Sequence, residues 1–145
     1  MPMFLRKLIH TLYIALMKVA VNFAPSARHT AFAGRGSSRH LCNHIVQMGV
    51  KKVLVVTDKP LRELGVVDQA IAGLQASDVD IAYYDGVLPD PTYDQVAEGV
   101  AVLKRHGSEV VLAIGGGSSI DAAKIISASA TSDQSPADWV GSVSY

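Results

Sequence analysis

Two hydrophobic periods alternate along most of this chain. Residues 52–57, 79–84 and 109–114 are short β-branched or aromatic runs with few charges, a pattern that predicts buried strands. Residues 61–77, with a break near Gly65, and residues 92–106, closed by Gly107, instead carry apolar side chains at three- and four-residue steps, which predicts helices. A further helix is expected over 120–130. Upstream, residues 31–33 read as a short strand ending at Gly34-Arg35-Gly36. Ser37 or Ser38 can cap a helix that runs to about Met48 and stops at Gly49. Strand and helix in strict alternation place the chain in the α/β class, as a Rossmann-like parallel sheet with helices on both faces.

The first 24 residues follow a different rule. Phe4, Leu5, Leu8, Ile9, Leu12, Leu16, Val19 and Phe23 line one side of an expected N-terminal amphipathic helix. Arg6, Lys7, His10 and Lys18 interrupt it, which argues against a membrane span. Arg6-Lys7 precedes an apolar stretch as in a signal peptide, yet Lys18 closes that stretch and no small-x-small cleavage site follows. Packing on this protein or on a sister subunit is the preferred reading, so a homo-oligomer is one expected assembly and membrane contact is disfavoured. Residues 22–30, with Pro25, Ser26 and Arg28, read as a linker. The expected division is an extension and linker over 1–30 and an α/β domain over 31–145.

Composition narrows the function classes. With 145 residues, 49% hydrophobic and 18% charged, the chain can bury a core and is no disordered tail. Thirteen basic and thirteen acidic side chains cancel, which removes any electrostatic case for nucleic acid. The single cysteine, Cys42, has no internal disulfide partner; it reads as a small apolar helix residue and fits a reducing, cytoplasmic setting.

The strongest chemical signal lies where the strand 109–114 runs into Gly115, Gly116 and Gly117, then Ser118 and a helix-forming segment. A helix N-terminus carries unpaired N–H donors and about half a positive charge, so it seats phosphate. Glycines let a ligand approach the backbone, and Ser118 adds a hydroxyl. The same residues can be a plain tight turn, with Ser118 and Asp121 forming a capping box. No Gly-Lys-[Ser/Thr] follows, so this is not a P-loop. Ile120 occupies the place of the last glycine of G-x-G-x-x-G. In parallel sheets ligands bind at the carboxyl ends of strands. Asp58, Asp90 and the glycine turn all arrive there. Asp58 can equally cap a helix beginning at Lys59-Pro60, and Asp90, between Pro89 and Pro91, can serve only its loop.

The run Gly115-Gly-Gly-Ser-Ser-Ile-Asp-Ala-Ala-Lys124 resembles the signature of the iron-containing (group III) alcohol dehydrogenases. Three more segments are similar to that family in the same order: Phe32-Ala-Gly-Arg-Gly36, Val53-Leu-Val-Val-Thr-Asp-Lys59 with Leu64-Gly-Val-Val67, and Tyr84-Asp-Gly-Val-Leu-Pro-Asp-Pro-Thr92. The resemblance covers roughly residues 31 to 130 and implies the nucleotide-binding portion of an NAD-dependent, metal-assisted alcohol dehydrogenase. It implies cofactor contacts at Asp58, Asp90, Gly115, Gly116, Gly117, Ser118 and Asp121. Asp58 would face the adenosine ribose and favour NAD over NADP. Family members often carry Asn where Asp90 stands. The substrate would be a small alcohol or aldehyde, and a divalent metal, Fe2+ or Zn2+, would be held by an Asp and three His of a following helical domain. Neither these ligands nor the family's threonine-rich loop falls within the sequence. The expectation is therefore a truncated oxidoreductase that has no catalytic residue and is inactive alone.

His40 and His44 stand four apart but lack a third ligand, and packing or surface roles suit them better. Glycerol-dehydrogenase-like and dehydroquinate-synthase-like relatives share the implied architecture, and a non-catalytic nucleotide-binding module is the remaining alternative.

Overall fold

The computed structural model describes residues 30–131. The expected N-terminal helix, most of the linker, His10, His29 and the tail with Trp139 lie outside the described residues. The elements are α1 (Ser37–Gln47), β1 (Lys52–Val56), α2 (Lys59–Glu63), α3 (Val66–Gln75), β2 (Asp80–Tyr84), α4 (Tyr93–His106), β3 (Val110–Ala113) and α5 (Gly117–Thr131). The three strands are parallel in the order β2-β1-β3, with Val53 opposite both Ile81 and Val110.

Alternation along β1 divides the core. Val53 and Val55 face Cys42, Ile45, Val67, Ile71 and Leu74 of α1 and α3, whereas Leu54 and Val56 face Val96, Leu103, Ala122, Ala123 and Ile126 of α4 and α5. These four of the five β1 side chains are 0% exposed. Full burial of each such side chain contributes about 1.5–3 kcal/mol. The β1-to-β2 crossover thus runs over one face and the β2-to-β3 crossover over the other, the arrangement that right-handed connections require in this strand order. The chain leaves β1 toward one face and β3 toward the other, so a crevice opens between their carboxyl ends. This is the Rossmann-like parallel sheet covered on both faces.

Local chemistry sets the helix ends. Thr92 caps α4 in a reciprocal box with Gln95, and Gly107, at φ +71°, ends it. Three expectations are corrected. Residues 31–33 form no strand among the described residues, because extended chain becomes a strand only by pairing. Phe32 instead contacts the exposed rings of His40 and His44, with centroids 6.3 and 6.0 Å away. Gly36, not Ser37 or Ser38, is the N-cap of α1. The helix after the glycines starts at Gly117 rather than Ile120, with the Ile120 N–H donating to the Gly116 carbonyl at 3.1 Å. Ser118 therefore lies inside the first turn and does not cap it.

Candidate functional site

The crevice at the β1/β3 switch point holds a cleft of about 350 Å3, lined by Asp58, Pro60, Val87, Leu88, Pro89, Gly116, Gly117, Ser118 and Ser119. Asp58 follows β1 and is the N-cap of α2. Its Oδ1 accepts from the Leu61 N–H at 2.9 Å, and Pro60 sits in the first turn, where a missing N–H costs nothing. The capping role read as an alternative for Asp58 is thus present. The second oxygen remains available, and it lies 3.4 Å from where a β-carbon on Gly115 would stand. Arg62 ties α2 to the end of β2, pairing with Asp85 at 3.2 Å while lying 4.1 Å above the centre of the Tyr83 ring.

The three glycines differ in what the protein itself requires of them. Gly115 has φ +149°, and a β-carbon there would come within 2.5 Å of Ser119 Oγ. The fold demands glycine at this position. Gly116 and Gly117 have no left-handed dihedral, and a β-carbon at either meets nothing within 4 Å. Nothing in the described protein needs glycine at 116 or 117. The space beside them opens on the cleft, against the N-terminus of the 15-residue α5, whose first turn holds no acidic residue. The unpaired N–H groups of such a turn and its dipole suit an anionic ligand. Open space and unpaired donors of this kind match the size and charge of a phosphate group.

The other expected residues are distributed unevenly. Asp58, Gly116, Gly117 and Ser118 line the cleft, and Gly115 lies between Asp58 and Ser119. Asp90 is not among the lining residues. It is exposed with φ +55°, a left-handed conformation that Asp and Asn tolerate better than most side chains. Asp121 is exposed too, and accepts from Lys124 Nζ at 3.0 Å. Ser119, Pro60 and Val87–Pro89 line the cleft but were absent from the expected set. The start of α5 at Gly117 turns Ser119, 1% exposed, toward the glycine turn, so its signal was the exact helix start.

Beside the cleft, Tyr84 is buried and its hydroxyl donates to the Gln95 carbonyl at 2.5 Å. Burial, and then the carboxylates of Glu98 and Asp85, push its pKa up to about 12. It is a structural donor at neutral pH, not an acid or base. Among the described residues no group of three or more His, Cys, Asp or Glu side chains could hold a metal ion. No helix among them is long and apolar enough to cross a membrane.

A family model described as iron-containing alcohol dehydrogenase matches residues 29–144. Lactaldehyde reductase of Escherichia coli is 41% identical over 97 residues, which are 67% of this chain and 25% of that protein. The NAD-dependent methanol dehydrogenase of Bacillus methanolicus is 38% identical over 93 residues, 64% of this chain and 24% of that protein. Among solved structures, NADH-dependent butanol dehydrogenase A of Thermotoga maritima superimposes with a TM-score of 0.68 at 31% identity, covering 78% of this chain and 29% of the other. The chain therefore spans about a quarter to a third of the length of the proteins it resembles.

Proposed function

The chain belongs to the iron-containing alcohol dehydrogenase family, and from that premise we propose that its cleft binds NAD as part of an oxidoreductase acting on small alcohols or aldehydes. The observation that carries the reading is the pair Gly116 and Gly117, glycines without a steric or dihedral cause inside the described protein, opening on a helix N-terminus. The backbone there would hold the pyrophosphate, with the Ser118 hydroxyl adding a donor. Asp58, the only charged residue among those lining the cleft, would accept from ribose hydroxyls and oppose a 2′-phosphate. Pro60, Val87, Leu88 and Pro89 supply an apolar wall for a ring. Asp90 and Asp121 would act at the rim, reaching a ligand that extends beyond the lining residues. NAD bound here would supply the hydride acceptor, and the cleft residues would bind and orient it.

The described residues do not fit the divalent metal that the family implies, because no set of ligands converges among them. Buried Cys42, the single cysteine, supports a reducing cytoplasmic setting.

Titration calorimetry with NAD and NADP tests the assignment. NAD should bind the more tightly. Asp58→Asn keeps a side chain that caps α2 but removes the charge, and should narrow the preference by about 1–3 kcal/mol, the range for a charge-assisted hydrogen bond. Equal affinities in the unmodified chain would overturn the role given to Asp58.

A further inference from the structure

Ser119 lines the cleft at 1% exposure, and its hydroxyl makes no hydrogen bond among the described residues. Thr57 and Ser129 also carry buried hydroxyls without partners, but theirs are sealed from solvent and neither lines this cleft. An unpaired buried hydroxyl is destabilising, and alanine would occupy the same place while favouring the helix. The fold therefore gains nothing from the oxygen at position 119. Ser119 is the third residue of α5, on the face that continues inward as Ala122, Ala123 and Ile126. That face carries its Oγ to within 2.5 Å of where a β-carbon on Gly115 would stand, and Asp58 Oδ2 lies 3.4 Å from the same point. Asp58 Oδ1 is committed to the Leu61 N–H, whereas Oδ2 accepts nothing among the described residues. A free donor and a free acceptor thus flank one glycine α-carbon on the floor of the cleft.

We infer, on the basis of nucleotide binding at this cleft, that Ser119 is a specificity-determining residue whose hydroxyl donates to the 3′-hydroxyl of the ligand's ribose. A carboxylate only accepts, and the serine hydroxyl is free to donate. A group seated between them must donate to one and accept from the other. A sugar hydroxyl does both, whereas a phosphate oxygen would meet the Asp58 charge and an apolar ring edge would leave both side chains unpaired. Position along the ligand selects the hydroxyl. With phosphate at Gly116 and Gly117, the 3′-hydroxyl is the nearer of the two along the sugar, and Ser119 stands on the helix that holds the phosphate. The 2′-hydroxyl then falls on the far side, to Asp58 alone.

Calorimetry on the full chain with ADP and 3′-deoxy-ADP tests this assignment. ADP should bind about tenfold more tightly, because the analogue leaves two polar side chains without a partner. Ser119→Ala should weaken ADP by about five- to tenfold and leave 3′-deoxy-ADP within about twofold, since that ligand offers the hydroxyl nothing to meet. The melting temperature of the variant should equal or exceed that of the parent. Equal affinities of the unmodified chain for ADP and 3′-deoxy-ADP overturn the inference and leave nucleotide binding intact. An alanine variant that weakens both ligands by the same factor overturns it as well, because Ser119 then only shapes the turn. An unmodified chain that binds no ADP overturns both the assignment of Ser119 and the nucleotide site on which it rests.

Discussion

At the amino end of the sheet the polar groups bind one another, whereas at the carboxyl end they surround a cleft. Lys52 Nζ donates to the His106 carbonyl at 2.9 Å, the His106 and Ser108 side chains share a hydrogen bond of 2.7 Å, and the Lys51 N–H reaches Glu109 Oε2 at 3.2 Å. His106 Nε2 also lies 3.2 Å from Asp80 Oδ2, without the alignment of a hydrogen bond. Little capacity is left there for a ligand. Across the sheet, Asp58 commits one oxygen to a cap while Gly116 and Gly117 leave open space. One end of a parallel sheet can be closed for stability and the other kept open for binding because the helices and loops at the two ends are set independently.

The sharpest break in that contrast is Gly117→Val. A β-carbon there meets nothing within 4 Å beyond its own helix turn, so the melting temperature should stay within a few degrees. Nucleotide affinity should fall by about a hundredfold or more, roughly 2.7 kcal/mol, since the side chain enters the space beside the helix N-terminus. Retained binding, measured by calorimetry, would reduce this glycine to a turn residue.

Gly115→Ala should do the reverse. Its β-carbon would stand 2.5 Å from Ser119 Oγ at a φ of +149°, so the fold is predicted to lose about 1–3 kcal/mol in urea denaturation. A variant as stable as the parent would place Gly115 with the ligand-facing pair instead.

Tyr84 sharpens the carboxyl-end side through pH. Its folded pKa is raised from 10.0 to about 12, so its neutral form is favoured in the folded state. That contribution is complete below the unfolded pKa, near 10, and is lost as pH rises from there toward about 12. Denaturation measured at alkaline pH should show stability falling over this window. Tyr84→Phe should remove that component and lower neutral-pH stability by about 1 kcal/mol through the lost hydrogen bond to Gln95.

The smallest effect is expected at the closed end. His106→Ala should cost about 0.5–1.5 kcal/mol, the range for one lost hydrogen bond, here that to Ser108. It should leave nucleotide affinity unchanged. A clear loss of binding would show that the two ends are coupled after all.

Much of this was legible from residue order because it is governed locally. The β-branched run at 52–57 could bury both its faces only as a central strand. Gly65 and Gly107 fall where helices end or restart, at φ +71° in each case. The segment 31–33 misled because strand character belongs to a pair, and its pattern could not say whether a neighbour existed. Ser119 joined Ser118 at the cleft for a different reason. Starting the helix at Gly117 turns the second serine, not the first, inward to the glycine turn, and a shift of three residues in a helix start is beyond what capping patterns resolve. The apolar wall at Val87–Pro89 comes from a loop, whose path is set by the antiparallel bridge between Asp58 and Gly86 rather than by any periodicity.

Asp58 also limits how this protein can be re-engineered. Because the carboxylate starts α2 by accepting the Leu61 N–H, a library that varies position 58 to alter nucleotide preference simultaneously varies helix nucleation. Asn, Ser and Thr keep an acceptor in place. Larger apolar or cationic replacements strand the N–H and loosen the turn that carries Pro60 into the cleft wall. Cofactor redesign here is best begun from capping residues, with any new positive charge introduced elsewhere along α2.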